Sequence, residues 1–187
     1  DPITRLQNAI QSANEAVHQS ALDDRAHAGM GTTIVVLAQL DRRAYVASVG
    51  DSRAYLVRRG EISQITQDHS FVEEQIRAGL LSREQARQHP QRNIITRALG
   101  SQPTVLVDVF EGELAEGDTV VMCTDGLSGH VTDELIRDTA SELPPAEAVK
   151  RLIEMANESG GTDNITTVVV RIESLKSQPP APSTGAP

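Results

Sequence analysis

The chain has 187 residues, a hydrophobic fraction of 39% and a formal net charge of −9. That length suits one domain with its own core, and the composition excludes a wholly disordered chain. The acidic balance argues against nucleic-acid binding, which requires a basic face, and no apolar run nears the ~18 residues of a membrane-spanning helix.

Aromatic residues make up only 2% of the chain. The core is therefore expected from Val, Ile, Leu and Ala, in layers of strands and helices. A single cysteine, Cys123, rules out an internal disulfide framework, and its apolar setting reads as a buried, inert thiol. Such usage fits a reducing cytosol. No charged-then-apolar leader opens the sequence.

In chain order, Asp1-Pro2 and apolar residues at Ile3, Leu6, Ile10, Ala13 and Val17 predict a helix fading near Ser20. A polar loop over 23–29 follows. Strands are expected at Thr32–Leu40, Ala44–Gly50, Arg53–Arg58 and Glu61–Thr66, with turns at Asp41-Arg42-Arg43 and Arg59-Gly60. Phe71–Leu80 and Ser82–His89 read as short helices split by Gly79 and ended by Pro90. Strand-like runs return at Thr104–Phe110 and Asp118–Cys123. Two helices, Thr132–Glu142 and Pro144/Pro145 to about Glu158, precede a last strand at Asn164–Ile172. From Ser174 the composition turns to Ser, Pro and Ala, and a disordered tail or linker is expected over 174–187. The pattern is α+β, an antiparallel sheet system covered by helices.

Three aspartates share one local context. Asp51 closes Val46-Ala47-Ser48-Val49-Gly50-Asp51, Asp125 closes Val120-Val121-Met122-Cys123-Thr124-Asp125, and Asp163 opens the last strand after Gly160-Gly161-Thr162. Each stands where an apolar run meets a glycine-containing turn. Asp is disfavoured inside strands. Carboxylates gathered on one rim repel one another unless a hard cation such as Mg²⁺ or Mn²⁺ neutralises them. Asp beside Gly is also ordinary turn chemistry. The residues themselves leave both readings open.

Six motifs, in this order, resemble the bacterial form of the protein phosphatase 2C family, the metal-dependent protein serine/threonine phosphatases. They are Gly29-Met30-Gly31-Thr32-Thr33, Gly50-Asp51-Ser52-Arg53, Thr66-Gln67-Asp68-His69-Ser70, the segment His89 to Gly100, Cys123-Thr124-Asp125-Gly126-Leu127, and Gly161-Thr162-Asp163-Asn164-Ile165-Thr166. Any one is weak; together they are specific, and they cover residues 1–173.

The resemblance implies an antiparallel β-sandwich flanked by helices, with a flap over 67–97. It implies hydrolysis of phosphoserine and phosphothreonine by in-line attack of a metal-bound water. Mn²⁺ or Mg²⁺ would be the cofactor, two to three ions in the complete domain. Asp125 and Asp163 would be catalytic, holding one ion of a pair. Asp51, sharing Asp125, would hold a further ion, and Asn164 would orient Asp163. The family's N-terminal section carries a phosphate-binding Arg, an early Asp and an Asp-Gly pair that bridges the two metals. Nothing before Gly29 supplies these, so the chain reads as N-terminally truncated and, alone, inactive. Gly129 stands where some members have another Asp.

The expected partners are phosphorylated proteins, including a serine/threonine kinase. The expected setting is a monomeric cytoplasmic domain, tethered to a membrane if the parent is longer. Substrate-binding residues and the substrate protein stay unassigned. Two other readings remain: a non-catalytic phosphatase-like regulatory or binding module, and a partner-switching phosphatase of a sigma-factor pathway. His18, His27, His69, His89 and His130 lack metal-ligand spacing and read as structural or exposed, with His69 and His89 as candidates to line the flap. No base is placed to activate Ser52 or Ser128. Arg53 and Arg97 read as ion-pair residues that also have the chemistry to meet phosphate.

Overall fold

A computed structural model describes residues 1–175. The tail expected over 174–187 falls, from residue 176 on, outside the described residues. The backbone N–H of Leu175 donates to Glu116 Oε1 at 3.0 Å, so the described chain ends on a contact with the body of the fold.

Helix α1 (Pro2–Asp23) begins where the sequence places it, with the Asp1 carboxylate accepting the Ile3 and Thr4 N–H groups and Pro2 in the first turn. It runs one turn past Ser20, because no breaker intervenes before Asp24 takes an extended conformation. A single 3-10 turn, Arg25–His27, leads toward the sheets.

Seven strands among the described residues form two antiparallel sheets. The first holds β1 (Ile34–Leu40), β2 (Arg43–Val49) and β5 (Asp108–Glu113), in the order β1-β2-β5. The second holds β3 (Arg53–Arg58), β4 (Glu61–Gln64), β6 (Thr119–Cys123) and β7 (Thr167–Arg171), in the order β4-β3-β6-β7. Strands β3 and β4 join through Arg59-Gly60, both at positive φ (52° and 78°), the twist-compatible form of a two-residue hairpin.

Period-two alternation on β6 assigns its faces. Val120 and Met122 turn inward, joining Ala44, Leu114 and Ile172 between the sheets. Val121 and Cys123 turn outward onto Leu127, Val131, Ile136, Ala140, Leu152 and Ala156. Those last residues lie on and before helices α5 (Asp133–Glu142) and α6 (Pro145–Glu158), which cover the second sheet. On the other side α1 covers the first sheet, with Ile10 and Leu6 packed on Ala47, Val49, Leu99 and Val107. The result is four layers, helix, sheet, sheet, helices, as the α+β sandwich expectation requires.

Most strand ends fall within about two residues of the expected ones, and two strands differ by more. The strand expected at Thr104–Phe110 begins at Asp108 and continues to Glu113. The backbone of the earlier part is engaged by side chains, since Val105 N–H donates to Gln11 Oε1 and Leu106 O accepts from Arg97. The last strand begins at Thr167 rather than Asn164, because Asn164 and Thr166 bond the Thr124 hydroxyl instead of a ladder.

The excursion between β4 and β5 carries α2 (Phe71–Arg77) and α3 (Arg83–Arg87). Ser82 and Gln85 form a reciprocal capping box at the start of α3. The excursion leaves and returns at one place, held by Phe71 N–H to Ile94 O and Thr96 N–H to His69 O, at 2.9 and 2.8 Å.

Candidate metal-binding rim

Strand register gathers the three aspartates at one end of the second sheet. Arg53 pairs with Cys123, and Cys123 pairs with Thr167. Asp51 lies just before the first of these, Asp125 just after the second, and Asp163 in the loop that leads into the third. Antiparallel order places all three turns on the same rim.

Asp51 sits in the turn between β2 and β3. Gly50 holds φ +108°, and a Cβ there would collide with the Thr33 side chain, so only glycine lets the chain pass. Beside it, Thr33 Oγ1 and Ser52 Oγ share a hydrogen bond of 2.8 Å. Burial, and then the charge of Asp125, push the Asp51 carboxyl up to about 6.

Asp125 opens a short helix, α4 (Asp125–Ser128), which the sequence did not announce. Thr124 ties this end of β6 to the 163–166 loop. Its N–H donates to Thr166 O at 3.1 Å, and its hydroxyl donates to Asn164 O at 3.2 Å while accepting Thr166 N–H at 3.0 Å. Gly126 allows the close approach, since a Cβ there would run into the Asn164 carbonyl. The exposed Asp163 carboxylate accepts the N–H of Asn164 at 2.7 Å, the contact that links those two residues.

The donor set suits a hard divalent cation in part. Asp51 and Asp125 supply carboxylate oxygens, and the charge of Asp125 raises the cost of ionising Asp51, which a cation between them would reverse. Among the described residues no three His, Cys, Asp or Glu side chains stand together as a metal-binding group, so Asp163 does not join the other two in one cluster.

Around the rim, ion pairs fix the remaining polar groups. Arg53 shares its one Nε–H between both oxygens of the buried Asp68 carboxylate and donates from Nη2 as well, at 2.7–3.0 Å, and Gln64 donates to the same group. Arg97 donates to Asp108 at 2.8 Å. The ion-pair reading of both arginines therefore holds. Cys123 is buried, and burial pushes its thiol up to about 12, which leaves it inert. Ser52 meets only another hydroxyl, so no base activates it.

His69 is the residue whose role the sequence left open. It is 5% exposed. Its Nδ1 accepts Gly50 N–H at 2.9 Å, and its Nε2 lies 3.0 Å from Asp108 Oδ2. Its place in the Thr66-to-Ser70 motif was the available signal; nothing in the spacing connects it to Asp108, 39 residues on.

Comparison with known proteins bears on the family. The profile of the family described as "Protein phosphatase 2C" matches residues 1–76. Protein phosphatase PhpP of Streptococcus pneumoniae is 41% identical over 162 residues, 86% of this chain and 65% of PhpP. The serine/threonine phosphatase stp of Listeria innocua is 39% identical over 168 residues, 89% of this chain and 67% of that protein. The solved catalytic domain of the serine/threonine protein phosphatase PstP, in complex with two manganese ions, superposes with a TM-score of 0.85 at 34% identity, over 93% of this chain and 73% of that one. The chain thus spans about two thirds of the length of the PhpP and stp relatives. With motifs, sandwich and identity in agreement over most of its residues, the chain belongs to the protein phosphatase 2C family.

Proposed function

We propose that this protein is a metal-dependent serine/threonine phosphatase that hydrolyses phosphoserine and phosphothreonine in other proteins. The observation that carries the reading is the placing of Asp51, Asp125 and Asp163 on one rim of this family's fold, with Asp51 and Asp125 electrostatically coupled. The manganese in the PstP neighbour supports Mn²⁺ as the cofactor.

In this reading Asp125 and Asp163 hold one ion, and Asp51 with Asp125 holds a further one. Bound divalent cations neutralise phosphoryl oxygens and make water acidic enough to attack phosphorus. The chain's own part is to fix the carboxylates. Gly50 and Thr33 set the Asp51 turn, Thr124 and Gly126 hold Asp125 beside the 163–166 loop, and Asn164 N–H orients Asp163. Asn164 supports the site without touching the substrate. Residues 67–97 act as a flap beside the rim, and residues 1–173 act as the phosphatase portion.

Inactivity of this chain on its own is part of the proposal; it is supported by the finding that among the described residues no three carboxylates stand together to hold a pair of ions. The partners proposed for the complete protein are phosphorylated proteins, a serine/threonine kinase among them, in cytoplasmic signal transduction. Among the described residues no helix is long and apolar enough to cross a membrane.

The test is hydrolysis of a phosphothreonine peptide by the complete protein encoded by the gene. Turnover is expected to require Mn²⁺ or Mg²⁺ and to fall by two orders of magnitude or more in Asp125→Ala. Turnover that survives both chelation and Asp125→Ala would exclude this function.

A further inference from the structure

His69 grips both backbone groups of Gly50. Its ring Nδ1 accepts Gly50 N–H at 2.9 Å, and its own backbone N–H donates to Gly50 O, also at 2.9 Å. Gly50 directly precedes Asp51 and has no Cβ to restrict its dihedrals, so the direction of the Asp51 carboxylate depends on what holds that peptide.

The ring's protonation follows from its partners. A backbone N–H can only donate, so Nδ1 must present its lone pair and Nε2 must carry the proton. Nε2–H then donates to Asp108 Oδ2 at 3.0 Å. Arg97 Nη1 lies 2.8 Å from the same Nε2, but both are donors; Arg97 donates instead to Asp108 Oδ1 at 2.8 Å. The Asp108 carboxylate accepts from both and fixes the ring. Four chain segments meet at this point: the Asp51 turn, the start of the flap, its return at Thr96-Arg97, and the first residue of β5.

We propose that His69 is a positioning residue for Asp51, acting through Nδ1 on the Gly50 amide, with Asp108 holding the ring in its Nε2–H tautomer. The proposal rests on the reading of Asp51 as a cation ligand. It makes the base of the flap part of the metal site: the histidine that anchors the flap's start also sets the turn that presents a ligand. Partners that orient ligands in this indirect way are typically worth ~10–100-fold in metal affinity.

Two substitutions in the complete protein separate the ring's two jobs. Asn at position 69 places an acceptor near the Nδ1 position, and Gln places a donor near the Nε2 position. His69→Gln is expected to weaken Mn²⁺ binding ~10–100-fold, measured by electron paramagnetic resonance of free Mn²⁺, and to raise the Mn²⁺ needed for half-maximal turnover of a phosphothreonine peptide in step, while KM for the peptide stays unchanged. His69→Asn is expected to recover most of that affinity. Wild-type affinity in His69→Gln, or equal losses in both variants, would overturn the proposal. A second measurement avoids any folding defect of the variants: the ¹⁵N shifts of the His69 ring in the unaltered protein. They are expected to report Nε2–H, and an Nδ1–H ring would overturn the clamp. If the unaltered protein neither binds Mn²⁺ nor hydrolyses the peptide, the functional reading fails, and the role proposed for His69 fails with it. A functional protein whose His69 variants behave like wild type overturns only the proposal about His69.

Discussion

Asp51 carries a carboxyl pushed up to about 6, first by burial and then by the charge of Asp125. Between about pH 4 and pH 6 the folded chain therefore keeps a proton that the unfolded chain has released, so metal-free stability falls as pH rises through that window. Asp51→Asn is expected to flatten that slope and to stabilise the metal-free protein at pH 7 by about 1 kcal/mol, allowing for the solvent screening of a half-buried group. Urea titrations at pH 4.5 and pH 7 measure this; an unchanged slope would show that the carboxyl is not strained. Added Mn²⁺ should reverse the order at pH 7, because only the ionised carboxylate binds it. At Gly126 the outcome depends on space. Gly126→Ala drives a methyl into the Asn164 carbonyl and should cost about 2 kcal/mol or more, with Mn²⁺ affinity falling in parallel, by thermal melts and Mn²⁺ titration. At this scale the sequence exposed Asp51, Asp125 and Asp163 because an acid at the end of an apolar run breaks the local pattern. It did not join His69 to Asp108, because that bond depends on the excursion between β4 and β5 returning beside its own start.

Among the elements, α1 shows where periodicity stops being informative. Its apolar stripe predicted a helix with one face in the core, and the structure sets Ile10 and Leu6 of that face on the first sheet. Asn14 lies among them with no exposure at all, and it docks the 100–103 loop. Its Oδ1 accepts Gly100 N–H at 2.9 Å, and its Nδ2 donates to Gln102 O and Pro103 O. A polar residue on an apolar face reads as an interruption until the loop that it serves is known. Asn14→Leu strands these buried groups and is expected to cost about 2–3 kcal/mol in urea unfolding, against a few tenths of a kcal/mol for substitution of exposed Glu15. On the other side of the sandwich, Leu152 on α6 is fully buried, and Leu152→Ala should cost about 3 kcal/mol. A loss below about 1 kcal/mol at either position would show that the layer concerned is loosely packed. The early start expected for β5 has the same origin as the Asn14 miss. Thr104–Val107 reads as strand by composition, but side chains from α1 and Arg97 take its backbone groups.

For the whole molecule, strand order was the least legible feature. β5 pairs with β2, and β6 inserts between β3 and β7, so sheet neighbours are separated by the whole excursion that carries α2 and α3 or by the three helices α4, α5 and α6. Local pattern specifies strands and faces but not such long-range pairing; the family resemblance of the six motifs implied a sandwich without its strand order. The same register that is hard to foresee, Arg53 to Cys123 to Thr167, is what brings the aspartates to one rim. The central claim is that this rim binds divalent metal through Asp125, with Asp51 and Asp163 on either side. Anomalous scattering from crystals of the complete protein soaked in Mn²⁺ tests it most directly. The account predicts Mn²⁺ peaks within coordination distance of Asp125, with Asp163 sharing one ion and Asp51 another; peaks elsewhere, or none on the rim, would contradict it.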